Sequence, residues 1–266
     1  MYLLAIETTG AYASVALLHA KAGGAGEARA ETGEILGVIH GSDRFSHLQN
    51  LTPQIDQILK DNQLQIGDID LIAVSHGPGS FTGIRIGVAT ARALGQILGI
   101  PCAAVSSLEA LALRAKELPA GRTLLCPALD ARRKQVYGAA YEIVEEKLVC
   151  RIPERSILMV DFLKDLEKIA DQYESIFFLG DGIDTCGDLI EQWAAEKGWP
   201  CGEGAEAGGQ PRILYAPEAI RYQDAAAVAL RGLQLHAEGR TCDYIQLQPE
   251  YLRMAEAEKK LREKQK

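Results

Sequence analysis

The chain has 266 residues, 47% hydrophobic and 24% charged, with a formal net charge of -8. That length allows one large domain or two of ordinary size, and the composition is globular rather than disordered or fibrous. The acidic balance argues against a stand-alone nucleic-acid binder, which needs clustered Lys and Arg, and no apolar run reaches the length of a membrane span.

Residues 2–7 are apolar but lack the basic start and the length of a signal peptide, so the expected location is cytoplasmic. Six scattered cysteines form no Cys-x-x-Cys pair and are expected to be buried, reduced thiols. The first strand is predicted over 2–7, closing in Glu7-Thr8-Thr9-Gly10, and a second over 13–19. Residues 21–34, rich in Gly, Ala and Glu, are expected as an exposed hairpin loop, followed by a strand over 35–40. Leu48, Leu51, Ile55, Ile58 and Leu59 then recur at helical spacing. Pro53 lies among them, so the helix either starts near Thr52 or is kinked there.

The most informative stretch follows. Residues 70–74 read as a buried, β-branched strand, and 75–87 carry the run Ser-His-Gly-Pro-Gly-Ser-Phe-Thr-Gly-Ile-Arg-Ile-Gly. The early glycines make a strand-to-helix turn, and Ser80 or Thr82 can cap a helix reaching about Leu98. Gly83, Gly87, Ala91 and Gly95 leave one stripe of that helix almost without side chains, beside Ile84, Val88 and Leu94. A bare stripe allows close approach of another backbone, by analogy with packed membrane helices. A strand over 101–105 and a helix over 106–116 complete the first half.

In the second half, strands are predicted over 123–129, 135–143 and 147–152, a helix over 160–170 and a buried strand over 175–179 ending in Gly180-Asp181-Gly182. A helix over 184–197, a Gly-rich link over 201–210, an Ala-rich helix over 223–238, an extended stretch over 243–251 and a charged tail over 254–266 follow. Strand, strand, strand, helix, strand, helix therefore occurs twice, which points to two similar α/β lobes with any ligand in the crevice at the strand ends. The expected division is 1–105 and 106–253, with the helix near 223–238 packing back on the first lobe, and the tail outside both.

Three turns could hold a nucleotide: Thr8 and Thr9 after the first strand, Asp130 after the strand over 123–129, and Gly180-Asp181-Gly182. Each also reads as an ordinary strand-ending turn. The Gly77 stretch is neither a P-loop nor a dinucleotide fingerprint, since Gly83 is followed by Ile84-Arg85. His47 reads as a surface or capping residue, and no two histidines are spaced as a helical metal pair, so no metal site is expected.

Taken together, Ala5-Ile6-Glu7-Thr8-Thr9, Ser46-His47-Leu48 with Leu51 to Ile55, and the run from Gly77 to Gly87 resemble the TsaB (YeaZ) family. Asp130-Ala131-Arg132 with Val136-Tyr137, Gly180-Asp181-Gly182 and Pro249-Glu250-Tyr251-Leu252-Arg253 are similar to its later landmarks. The resemblance implies an α/β fold of two ribonuclease-H-like lobes, of the actin, sugar-kinase and Hsp70 type. It implies a non-catalytic subunit in threonylcarbamoyladenosine formation in tRNA, beside the anticodon. The implied partners are a TsaD-type catalytic homologue and a TsaE-type ATPase, with a homodimer when alone and tRNA engaged only indirectly. The implied contact face is His47, Leu48, Leu51, Ile55, Ser80, Phe81, Gly83, Ile84, Gly87 and Ala91. No cofactor is implied, beyond ATP or ADP held weakly at the complex interface. The catalytic homologue's His-x-x-x-His pair falls on Ser107 and Leu111, which argues against metal chemistry by this chain. Glu7 stands where the family's first turn usually has Asp, and a longer carboxylate there is expected to crowd a phosphate.

Two other functions fit parts of the pattern. A small-molecule kinase or ATPase of the same fold would use Asp130 as its catalytic carboxylate. A glycoprotease-like metallopeptidase would need a ligand pair or His-Glu-x-x-His helix that the sequence lacks.

Overall fold

A computed structural model describes residues 1–21, 32–41, 47–115, 121–202 and 209–253. Most of the insert, Ser46, much of the Gly-rich link and the charged tail lie outside the described residues.

The first lobe runs β1 (Tyr2–Glu7), β2 (Ser14–Lys21), β3 (Thr32–His40), α1 (His47–Asp61), β4 (Leu71–Gly77), α2 (Phe81–Leu98), β5 (Cys102–Ser106) and α3 (Ser107–Leu113). The second runs β6 (Thr123–Asp130), β7 (Gln135–Val144), β8 (Lys147–Leu158), α4 (Met159–Glu167), β9 (Ser175–Leu179), α5 (Gly182–Lys197), β10 (Arg212–Tyr215), the single turn α6 (Glu218–Arg221) and α7 (Ala225–Ala237). The sheets are ordered β3-β2-β1-β4-β5 and β10-β9-β6-β7-β8. Read from their first strands, these are the same topology: an antiparallel meander on one side and two parallel strands on the other. The doubled order expected from sequence is present; β5 and α3 follow it in the first lobe, and β10, α6 and α7 in the second.

Alternation along the central strands builds the layers. Leu4, Ile6, Ile72 and Val74 pack with α1 and α2 on one face of the first sheet. Leu3, Ala5, Leu71 and Ala73 pack on the other with Val228 and Leu233 of α7. In the second sheet, Leu124, Cys126 and Phe178 pack with α4 and α5, while Leu125 and Leu129 pack with Leu108 and Leu111 of α3. Each lobe's last helix thus covers the other lobe's sheet. The two helices meet through Arg231, whose Nε donates to Glu109 Oε2 at 2.8 Å.

Several expected boundaries move. The β2–β3 ladder extends to Lys21 opposite Thr32, so the ends of the insert are strand. α1 passes through Pro53 without restarting at Thr52. β8 continues past Pro153, which an edge strand tolerates because no neighbour needs its missing N–H. β10 falls where no strand was expected, and the stretch over 243–251 is an irregular strap. Of the six cysteines, all free thiols, Cys102, Cys126 and Cys186 are buried, but Cys150 and Cys201 are exposed. No helix among the described residues is long and apolar enough to cross a membrane.

Candidate functional site

The carboxyl ends of β1, β4, β6 and β9 converge on a cleft of about 550 Å³ between the lobes. One wall is Thr9, Gly10, Gly79 and Ser80; the opposite wall includes Leu129, Asp130, Asp181 and Thr185. The turn after β6 corresponds to the turn after β1, and the α5 start to the α2 start, so equivalent parts of two lobes face each other.

On the first wall, Glu7 is fully buried. Its Oε1 accepts from Thr9 N at 2.5 Å and from Thr9 Oγ1 at 2.6 Å, and its Oε2 accepts from Ser75 Oγ. Burial pushes its carboxyl above the ordinary range, opposed by these donors. Glu7 therefore turns inward, beneath the cleft floor, which corrects the expectation that its length would crowd a phosphate. Thr8 is also buried, and its Oγ1 donates to Gly83 O at 2.8 Å, tying β1 to α2. Of the two threonines, only Thr9 lines the cleft.

On the second wall, Asp181 is half-buried, and burial raises its carboxyl. The Asp130 N–H, donating to Asp181 Oδ1 at 2.8 Å, works against that rise, while the nearby Asp130 and Asp184 charges add to it. Asp184 accepts from Arg221 Nη1 and from Tyr222 OH, both at 3.0 Å. Gly180 and Gly182 do not line the cleft. A Cβ on Gly180 would lie 2.2 Å from Ala128 O, and its φ of +97° is one that glycine adopts freely, so it sets the approach of α5 to β6. Among the described residues, no group of three or more His, Cys, Asp or Glu is arranged to hold a metal ion. Ser107 and Leu111 are both buried at the start of α3.

The turn leading into α2 is built as its sequence implies. Ser80 caps the helix, its Oγ accepting from Gly83 N at 3.3 Å. The bare stripe, however, faces inward. A Cβ on Gly83 would sit 1.9 Å from Thr8 O, one on Gly87 2.4 Å from Thr8 Oγ1, and one on Gly95 2.8 Å from Cys102 Sγ. The close approach is to this chain's own first sheet. Leu51, Ile55, Ile84 and Ala91 are likewise buried in that core. His47 is 2% exposed and begins α1, rather than lying on the surface, and burial lowers its pKa. Of the expected contact residues, Leu48 is 77% exposed, and Ser80 and Phe81 are half-buried at the cleft. The outward stripe of α2 is instead Arg85, Ala89, Ala93 and Ile97, the last 79% exposed.

Residues not expected in the site also reach it. Arg132, Tyr137, Asp184, Gln223 and Arg253 line the cleft. Arg253 Nη1 donates to Ala131 O at 2.6 Å, so the C-terminal strap bridges both lobes. Upstream, Glu250 N donates to His76 O at 2.8 Å, and Tyr251 packs on Phe81 with centroids 4.6 Å apart. Arg85 stacks over Phe81 at 3.9 Å and donates to Tyr251 OH at 3.0 Å. The Pro-Glu-Tyr-Leu-Arg landmark signalled this segment without indicating its target.

Two lobes of one topology, crossed by exchanged helices and closed around a strand-end cleft, define the actin, sugar-kinase and Hsp70 class of fold. The family model described as "TsaD: tRNA N6-adenosine threonylcarbamoyltransferase" matches residues 35–260. The chain is 33% identical over 221 residues to the "tRNA threonylcarbamoyladenosine biosynthesis protein TsaB" of Bacillus subtilis, covering 83% of this chain and 86% of the relative. It is 27% identical over 216 residues to the Escherichia coli protein of that name, covering 81% and 84%. Among solved structures, "YeaZ from Pseudomonas aeruginosa" superposes with a TM-score of 0.67 at 22% identity, covering 94% of this chain and 99% of that one. The chain belongs to the TsaB (YeaZ) family.

Proposed function

We propose that this chain is a non-catalytic subunit of the machinery that forms threonylcarbamoyladenosine in tRNA, beside the anticodon. It binds and activates a TsaD-type catalytic homologue, together with a TsaE-type ATPase. The names of the relatives and of the matching family support the pathway. The observation that carries the subunit role is the outward stripe of α2, where Ala89 and Ala93 offer a nearly flat surface ending in exposed Ile97. Small side chains let another helix come close, and Ile97 and Leu48 supply apolar area to bury. Without the partner, the same face pairs two copies about a two-fold axis. Ser107 and Leu111, at the positions of the homologue's ligand pair, are spent in this chain's own core, which supports leaving the metal chemistry to the partner. ATP or ADP, if held in the cleft, is held weakly; calorimetric titration of the lone chain is expected to show no sub-millimolar binding.

The test is depletion of the chain in its native cell, with nucleoside analysis of bulk tRNA. The modified nucleoside is expected to fall and to be restored by the wild-type gene, but not by Ala93→Glu. That variant should remain folded and fail to co-purify with the catalytic homologue. Unchanged nucleoside content after depletion would overturn the proposal.

A further inference from the structure

The turn between β6 and β7 breaks a local rule. Arg132, Arg133 and Lys134 adopt φ values of +68°, +56° and +59°, the left-handed region that Gly, Asn and Asp usually fill. The β7–β8 hairpin places Glu145 and Glu146 there too, as a two-residue hairpin turn requires. The β6–β7 turn is longer by one such residue and stands at the cleft mouth. It is held in place from several directions. Arg132 N donates to Asp130 Oδ1 at 2.8 Å, Gln135 N to Arg132 O at 3.0 Å, and Met159 N to Lys134 O at 3.0 Å. All three basic side chains are exposed. Arg253, anchored on Ala131 O, adds a fourth cation beside them. A sequence that places bulky cations at three consecutive left-handed positions forgoes local stability, and such conflicts concentrate where function is served.

The neighbourhood fixes the kind of partner. Phe81 shares the cleft lining with Arg132 and Arg253; Arg85 lies over its ring and Tyr251 packs against it, so that of the pair Tyr251, 40% exposed, is the ring open to solvent. Cations that track phosphates beside aromatic rings that take unstacked bases are what a single-stranded RNA loop needs. Among the described residues, the opposing charges include Asp130, 3.9 Å from Arg132, and Asp181 and Asp184 deeper in the wall. They keep phosphates at the rim rather than in the cleft. We infer that the Arg132–Lys134 turn, with Arg253, contacts the phosphodiester backbone of a tRNA loop directly. This rests on the proposed role in tRNA modification, and it departs from the indirect engagement that a net charge of -8 implies, because the cations are local.

The test is fluorescence anisotropy of an unmodified tRNA transcript with the full chain across a salt series. The variant is R132G/R133G/K134G, since glycine keeps the left-handed backbone while removing the charges. Wild type is expected to bind at 50 mM salt with an affinity that falls steeply as salt rises. The triple variant should bind at least fivefold more weakly, with a log–log salt slope shallower by about 2, at about 0.7 per lost single-strand phosphate. R132K/R133K, which keeps the charge, should bind as wild type does. Equal affinity and slope in wild type and triple variant, or no salt-dependent binding by wild type, would overturn the inference. Co-purification of the triple variant with the catalytic homologue is measured in parallel. Failure of the wild-type chain itself to co-purify would sink the proposed function without touching the RNA contact.

Discussion

Glu7 carries a carboxyl group that water does not reach. Three donor contacts from Thr9 and Ser75 satisfy its oxygens, yet burial still favours the neutral form. Because the folded state holds the proton more tightly than the unfolded state, the contribution of Glu7 to stability is greatest near and below 4.5, its ordinary value. That contribution declines as pH rises through the folded-state value, where folding begins to bury a charge. Glu7→Gln keeps an oxygen for Thr9 and turns an amide toward Ser75, which can accept. Thermal melts from pH 4 to pH 8 should show the variant matching wild type at the acid end and exceeding it at pH 8. The gain should be about 1–3 kcal/mol, the usual cost of an imperfectly compensated buried polar group. A variant that is less stable than wild type at pH 8 would mean that the charged form is the native one.

At the scale of the element, α2 shows what its sequence discloses and what it withholds. The strand-to-helix turn, the Ser80 cap and the end near Leu98 follow from local chemistry and are present. The glycine spacing announces a close approach, but not its object. That object is Thr8, 75 residues away along the chain, and nothing local to α2 names it. The consequence is a sharp difference between two faces of one helix. Gly87→Leu must displace Thr8 and Val74 and should leave little folded protein, since overpacking a tight site costs about 1–3 kcal/mol for each poorly accommodated group. Ala89→Leu, on the exposed stripe, should change the melting temperature by no more than about 2 °C, because its side chain meets solvent. Circular dichroism melts of the two variants check this, and comparable destabilisation in both would mean that α2 is rotated from the described orientation. Other elements were hidden for their own reasons. β10 has only Ile213 and Leu214 between Arg212 and Tyr215, too short a run to stand out. β1, β4 and β9 were legible because both of their faces are buried, which makes their runs continuously apolar.

For the whole molecule, the exchanged helices decide how the two halves depend on each other. The sequence disclosed the doubled order of elements and led to the expectation that the helix near 223–238 packs back on the first lobe; α7 meets the first sheet through Val228, Leu233 and Leu235, and α3 meets the second through Leu108 and Leu111. A fragment of residues 1–118 therefore leaves one face of its sheet bare and carries a helix whose buried side has no seat. Three large side chains at about 1.5–3 kcal/mol each amount to much of the 5–15 kcal/mol that holds an ordinary domain together. The salt bridge from Arg114 Nη1 to Asp224 at 2.9 Å and the 2.8 Å contact of His40 Nε2 with the same carboxylate are cut as well; burial pushes the Asp224 carboxyl up, but His40 first and Arg114 second hold it at about 2. Fragment 1–118 alone is expected to aggregate or to melt without a cooperative transition. Co-expressed with residues 119–266, it should be recovered as a one-to-one complex with a single transition. A lone fragment that melts cooperatively would show that the first sheet can close its own face, and the two lobes would then be neighbours rather than one interlocked body.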